Sequence, residues 1–156
     1  MTLLEPWFIT GLIEGEGCFS VSFSLRKRLR TGIETRPSFS ISLNKRDLNL
    51  VKQVHNFFNC GAVRYSRSDR TYKYEVRSIK EITNRIIPHF ENYPLQGDKQ
   101  QNFKRFKIIC HLVHSNQHRN KEKLALIIEQ AYSMNPSGKR KHEKQDLLKI
   151  LDKSKV

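Results

Sequence analysis

The 156-residue sequence predicts an α+β layer fold, a four-stranded antiparallel sheet with helices packed on one face. Two observations carry this reading. The hydrophobic period alternates between helical and strand spacing in the order helix, hairpin, helix, hairpin, helices, and each strand is apolar on one side only.

Pro6 can open a helix, and Trp7, Phe8, Ile9, Leu12 and Ile13 recur at helical spacing up to Gly15-Glu16-Gly17. From Cys18 the period is two: Phe19, Val21, Phe23 and Leu25 alternate with Ser20, Ser22, Ser24 and Arg26. Arg26 to Arg36, with Gly32 and a cluster of basic side chains, reads as a hairpin loop. The return strand is Ser38 to Leu43, with Phe39, Ile41 and Leu43 opposite Ser38, Ser40 and Ser42. Leu48, Val51, Val54, Phe57 and Phe58 mark an amphipathic helix that ends near Asn59-Cys60-Gly61. The second hairpin pairs Ala62 to Arg67 with Tyr72 to Arg77 across a turn at Ser68-Asp69-Arg70. Helices are expected over Ile79 to Phe90, Lys99 to Val113 and Lys121 to Tyr132, with a short one at Gln145 to Leu151 after a break at Asn135-Pro136-Ser137-Gly138. Domain boundaries follow: 1–134 as one domain, and 135–156 as a basic extension with a short helix.

Composition narrows the function. With 29 Lys+Arg against 15 Asp+Glu, the formal net charge is +14, and so basic a body repels itself unless a polyanion neutralises it. Nucleic acid is the expected partner. The charge is uneven: residues 1–16 carry −3, residues 17–118 carry +12 and residues 119–156 carry +5. Carboxylates held against a polyanion weaken binding unless they hold a cation, so the acidic segment points to metal-dependent chemistry. No apolar run approaches the roughly 20 residues of a membrane helix, and no signal-like segment opens the chain, so a soluble intracellular protein without membrane contact is expected. Cys18, Cys60 and Cys110 lack metal-ligand spacing and read as reduced, buried thiols.

The sheet face opposite the core carries Ser, Arg, Lys and Glu, a pattern that suits a groove-reading surface, since β-ribbons fit the major groove and Arg reads guanine there. Its candidate residues are Ser20, Ser22, Ser24, Arg26, Arg28, Arg30, Arg36, Ser38, Ser40, Ser42, Arg64, Ser66, Arg67, Arg70, Lys73, Glu75 and Arg77. His111, His114 and His118 fall at i, i+3, i+7 with Cys110 beside them. Zinc is possible there in principle, and an exposed or phosphate-facing helix is the default. Lys139-Arg140-Lys141 reads as a flexible segment against a nucleic-acid backbone.

Gly11 and Gly15 lie four apart on one helical face, and each costs about 1 kcal/mol against Ala inside a helix. Close packing, within one chain or against a twin helix, would offset that cost. Together, Ile9-Thr10-Gly11-Leu12-Ile13-Glu14-Gly15-Glu16-Gly17 resembles the LAGLIDADG signature of homing endonucleases. Gly11, Leu12, Ile13 and Gly17 are the family residues, and Glu14 and Glu16 stand at its two acidic positions. Ile9-Thr10 and Gly15 depart from the pattern.

The resemblance implies the αββαββα endonuclease fold and a homodimer with Phe8, Gly11, Leu12 and Gly15 at its interface. It implies a near-palindromic double-stranded DNA site cut in both strands, with 3′ overhangs. Glu16 matches the catalytic acid and metal ligand, helped by the Gly15 carbonyl, with Mg²⁺ as the ion. Glu14 is mainly structural in the family. Lys99 matches a second catalytic position near the scissile phosphate. An RNA-binding intron maturase and a non-cutting DNA-binding regulator share the architecture. Members are encoded in introns or inteins, which implies an organelle (chloroplast or mitochondrion) or a prokaryotic cytoplasm.

Overall fold

The computed structural model describes residues 3–135 and 138–154. Pro136 and Ser137 of the expected break lie outside them, as does Lys155. The architecture is α+β, with a four-stranded antiparallel sheet in the order β1-β2-β4-β3. Its elements are α1 (Pro6–Glu16), β1 (Gly17–Leu25), β2 (Ile33–Asn44), α2 (Leu48–Phe58), β3 (Ala62–Ser66), β4 (Thr71–Val76), α3 (Ile79–Glu81), α4 (Ile87–Asn92), α5 (Lys99–His114), α6 (Lys121–Tyr132) and α7 (Lys144–Asp152).

The chain divides into two compact units, one within Met1–Phe19 and Ser38–Gln100, the other within Ser20–Pro37 and Gln101–Val156. In the first, Phe39 pairs with Val76, Ile41 with Tyr74 and Leu43 with Tyr72, so these side chains share one sheet face. That face is buried with Val51, Val54 and Phe58 of α2 and with Ile82, Ile86 and Phe90. Phe39 meets Phe19, Phe58 and Phe90 at centroid distances of 5.4, 5.6 and 5.7 Å, so the core is built on aromatic edges. Gly61 is required at the entry to β3: its φ is +80°, and a Cβ there would meet the Glu75 carbonyl oxygen at 2.6 Å. In the second unit, Val21, Phe23 and Ile33 are buried along with Phe103, Phe106, Leu124, Ile128, Leu147 and Leu151.

Two elements differ from expectation. β2 begins at Ile33, so the loop is shorter and closes on Gly32 at φ +77°, with Arg26 N donating to Gly32 O at 2.9 Å. The helix expected at Ile79 to Phe90 is α3 and α4 joined by a π-helical turn, Ile82–Ile86. Pro88 has no N–H to donate to its i−4 carbonyl, and the Ile87 N–H bonds to Ile82 O instead, one residue wider than in an α-helix.

Candidate metal centre and nucleic-acid interface

The α1 helix buries Ile9, Thr10 and Ile13 and leaves Trp7, Phe8, Gly11 and Gly15 exposed. Trp7 and Phe8 are 56% and 48% exposed, uncommon values for large apolar side chains. A Cβ added at Gly11 or Gly15 would meet nothing within 4 Å. Among the described residues neither glycine is therefore spent on close packing within the chain. The buried side is anchored by Thr10, whose hydroxyl donates to Tyr93 O at 2.8 Å and accepts from His89 Nε2 at 3.0 Å. That anchor accounts for Thr10 at a position where the motif has Ala. Burial pushes the His89 pKa down to about 4, so the ring is neutral at physiological pH.

At the far end of α1, Gly17 is forced by space, since a Cβ there would lie 2.5 Å from Ile13 Cγ2. The two acids of this turn part company. Glu14 Oε1 accepts from Gln96 N at 2.6 Å and Gly97 N at 2.9 Å, tying the helix to the loop before α5, in line with a structural role. Glu16 is exposed and has no hydrogen bond or ion pair among the described residues. Lys99 Nζ, half-buried, donates to the carbonyls of Ile13 (2.8 Å), Glu14 (3.0 Å) and Gly17 (2.6 Å). The ammonium thus satisfies carbonyls that a helix end leaves open and offsets the negative end of the α1 dipole. It leaves the Gly15 carbonyl out of its set. The chain offers here one unpartnered carboxylate and one carbonyl, a hard-oxygen set that fits Mg²⁺ or Ca²⁺. Among the described residues no group of three or more His, Cys, Asp or Glu converges for a metal.

On the outward sheet face, Ser40 stands opposite Glu75, Ser42 opposite Lys73, and Lys73 opposite Arg64. Glu75 is the hub of that face. Its carboxylate receives Arg77 at 2.9 Å and Arg64 and Lys73 at 3.2 Å each, and its side chain is 6% exposed, against 58%, 61% and 44% for the three cations. The groups presented outward are the cations, with Glu75 beneath them, and its same-face neighbour Ser40 is also buried. Arg26 and Arg36 bracket Glu34 at 3.1 and 3.2 Å. Arg28, Arg30, Arg67 and Arg70 are exposed, as are Ser22 and Ser42, while Ser20, Ser24, Ser38 and Ser66 are half-buried. Sequence reasoning passed over Arg46, 83% exposed beside the end of β2. It also took Glu75 as a contact in its own right, although Lys73, Glu75 and Arg77 at alternate positions already place opposite charges on one face.

Other expectations change. α5 ends at His114, and Asn116 turns left-handed at φ 61°, so His118 leaves the helical face of His111 and His114 and no three-histidine site forms. Cys60 and Cys110 are buried, but Cys18 is exposed, because the β1 alternation points it outward. Arg140 is stitched inward: it donates to Val21 O at 2.7 Å and Ala131 O at 2.6 Å and lies over the Tyr132 ring at 4.5 Å. No described helix is long and apolar enough to cross a membrane.

Residues 9–110 match the family described as LAGLIDADG endonuclease. A probable intron-encoded endonuclease 2 of Neurospora crassa is 35% identical over 133 residues, 85% of this chain and 29% of that protein. Across three such curated relatives the chain spans 25% to 29% of their length. The crystal structure of a homing endonuclease, I-TnaI, superposes with a TM-score of 0.83 at 31% identity, covering 97% of this chain and 98% of that one. I-SmaMI bound to an uncleaved DNA target in the presence of calcium ions superposes with a TM-score of 0.86 at 27% identity, over 97% of this chain and 50% of that one.

Proposed function

Because the chain belongs to the LAGLIDADG endonuclease family, we propose that it is a site-specific double-stranded DNA endonuclease acting as a homodimer on a long, near-palindromic site, with a metal-dependent cut that leaves 3′ overhangs. The observation that carries this reading is α1, whose exposed apolar and glycine face ends in an unpartnered Glu16. A second α1 laid across Gly11 and Gly15 would cover Phe8 and Leu12 and bring two Glu16 carboxylates together about a two-fold axis. The DNA and calcium ions in the I-SmaMI structure support a duplex substrate and a divalent ion, for which Mg²⁺ is the expected choice. The intron-encoded relative of Neurospora crassa supports the organellar form of the expected setting.

Two carboxylates at helix C-termini repel each other and the negative ends of both dipoles, and hard cations relieve that conflict. Glu16 and the Gly15 carbonyl would hold the ion, which when bound polarises the scissile phosphate toward attack by water. Lys99 keeps the helix end in place through three carbonyls, Glu14 holds the 96–97 loop to the same turn, and the outward cations orient the duplex.

Selection of cleaved sites from a randomised duplex library with Mg²⁺ tests this, using the wild type and Glu16→Gln. Wild type is expected to cut, and Glu16→Gln to bind without cutting. Cutting that survives in Glu16→Gln would overturn the ligand assignment. Duplex binding without any cutting indicates a regulator, and selective binding of structured RNA a maturase. Sedimentation should show two chains per duplex, and cutting of both strands by a lone chain overturns the pairing.

A further inference from the structure

Within the second unit, the chain beyond α6 turns back and takes hold of β1. Arg140 donates to Val21 O of the strand at 2.7 Å and to Ala131 O in the last turn of α6 at 2.6 Å, and it lies over the Tyr132 ring at 4.5 Å. A guanidinium fork can serve two carbonyls at once, and its cation suits a helix C-terminus. The Tyr132 ring stacks on Phe23 of β1 at 6.2 Å between centroids, and its hydroxyl donates to His142 O. One side chain thus joins the strand, the end of α6 and the segment after it. Farther along, Ile150 of α7 backs the close of the β1–β2 loop, since a Cβ at Gly32 would lie 3.4 Å from its Cγ2. Lys121 Nζ donates to Asp152 O at 2.9 Å and ties the end of α7 to the start of α6.

The place of the Arg140 contact is what gives it a role in reading. β1 is at the edge of the sheet, so it has a strand neighbour on one side only among the described residues. The carbonyl that Arg140 takes belongs to the peptide between Val21, which is buried, and Ser22, which is exposed on the outward face. A serine hydroxyl stands one carbon from the backbone, so it cannot make up for a strand that shifts, as a long arginine can. We propose that Arg140 is a positioning residue for base recognition: through Val21 O it fixes β1 so that Ser20 and Ser22 meet base edges, and the 138–154 segment braces the first hairpin. The brace stands on its own contacts, and only its service to base reading rests on the endonuclease reading.

The test has two arms on the full chain. In the first, amide exchange is followed without DNA. Arg140→Met is expected to speed exchange at residues 20–24 by about tenfold while β4 keeps its rates, and unchanged rates in β1 overturn the brace. In the second, bound sites are selected from a randomised duplex library well below the Tm of each variant. Arg140→Met should relax preference by about five- to tenfold at the base pairs that Ser22→Ala also relaxes, and keep it elsewhere. Tyr132→Phe loses only the tie to His142 and should act in the same direction more weakly. Val54→Ala opens a cavity in the other unit, so it should lower Tm and leave the profile intact. An Arg140→Met profile that is unchanged, or flattened evenly at all positions, overturns the positioning role. So does a salt slope on scrambled DNA that falls by about 0.9, because that marks Arg140 as a phosphate contact. Wild type that binds no duplex refutes the endonuclease reading, and the exchange arm still decides the brace.

Discussion

Replacing Glu75 by Gln keeps the side chain's shape and removes the one negative charge that three cations share. At about 3 Å and an effective dielectric constant of about 20, each pair is worth roughly 5 kcal/mol before costs. Desolvation of a carboxylate that is 6% exposed, repulsion among the cations and solvent screening of their outer atoms take back most of it. Breaking such a buried hub typically costs about 3–5 kcal/mol, and the surviving amide and the cations' exposure put this case at the lower end, about 2–4. The effect on DNA binding has the opposite sign. The cluster goes from net +2 to net +3, and Arg64, Lys73 and Arg77 are released to reach phosphates, so affinity for a scrambled duplex should rise and its salt slope steepen by up to about 0.9. The same release loosens the guanidiniums as base readers. One bidentate contact carries about 1–3 kcal/mol of discrimination, so the preference for the cognate duplex should fall roughly tenfold. Fluorescence anisotropy with cognate and scrambled duplexes at several salt concentrations reads both effects, with Lys73→Gln, which thins the array and spares its hub, lowering both affinities alike. A Glu75→Gln protein that melts lower but keeps its cognate-to-scrambled ratio would show the carboxylate to be a structural brace and refute its part in specificity.

Gly11→Ala should raise the stability of the isolated chain by up to about 1 kcal/mol, because its Cβ meets nothing, while weakening self-association in sedimentation. Glu16→Gln removes an unpartnered acid from a helix C-terminus and should stabilise by about 0.3–1 kcal/mol as it abolishes cutting, whereas Lys99→Met, which orphans three carbonyls, should lower Tm and slow cleavage together. His89 has a pKa near 4 folded against about 6.5 unfolded, so the unfolded chain binds the extra proton between those values. Stability should be full above about pH 6.5, fall by about 3 kcal/mol as pH drops toward 4, and show a flatter profile in His89→Gln by chemical denaturation.

Most elements were legible because their periods are clean. The Lys121–Tyr132 helix has the expected limits, the helix marked from Leu48 ends at Phe58, just before the expected Asn59-Cys60-Gly61 stop, and both hairpins follow from strict alternation. The start of β2 was hidden by Gly32 and the basic residues around it, and Pro37 follows within the strand. Yet β2 pairs with β4 only from Phe39 to Asn44, so the absent N–H of Pro37 falls beyond that ladder and breaks no bond to β4. The three-histidine pattern misled for the converse reason. Regular spacing carried it past Asn116, and one left-handed residue ends the helix before His118.

The site was legible as residue types and hidden as pairings. Residues 1–16 carry three carboxylates, but Glu14 is spent on the amides of residues 96 and 97, more than 80 positions away, and Glu5 stands before the helix, which leaves Glu16 as the unpartnered acid at the end of α1 among the described residues. Lys99 looks in sequence like one more surface charge, and its three acceptors lie 82 to 86 residues upstream. The basic surplus divides in the same way: Arg140 is turned inward, Arg26 and Arg36 share Glu34, and Arg64, Lys73 and Arg77 share Glu75. Net charge fixes how strongly a polyanion is drawn to the body. How it would be gripped depends on which charges the fold leaves unmatched, and among the described residues these include Glu16 at the end of α1 and the exposed guanidiniums of Arg28, Arg30, Arg67 and Arg70.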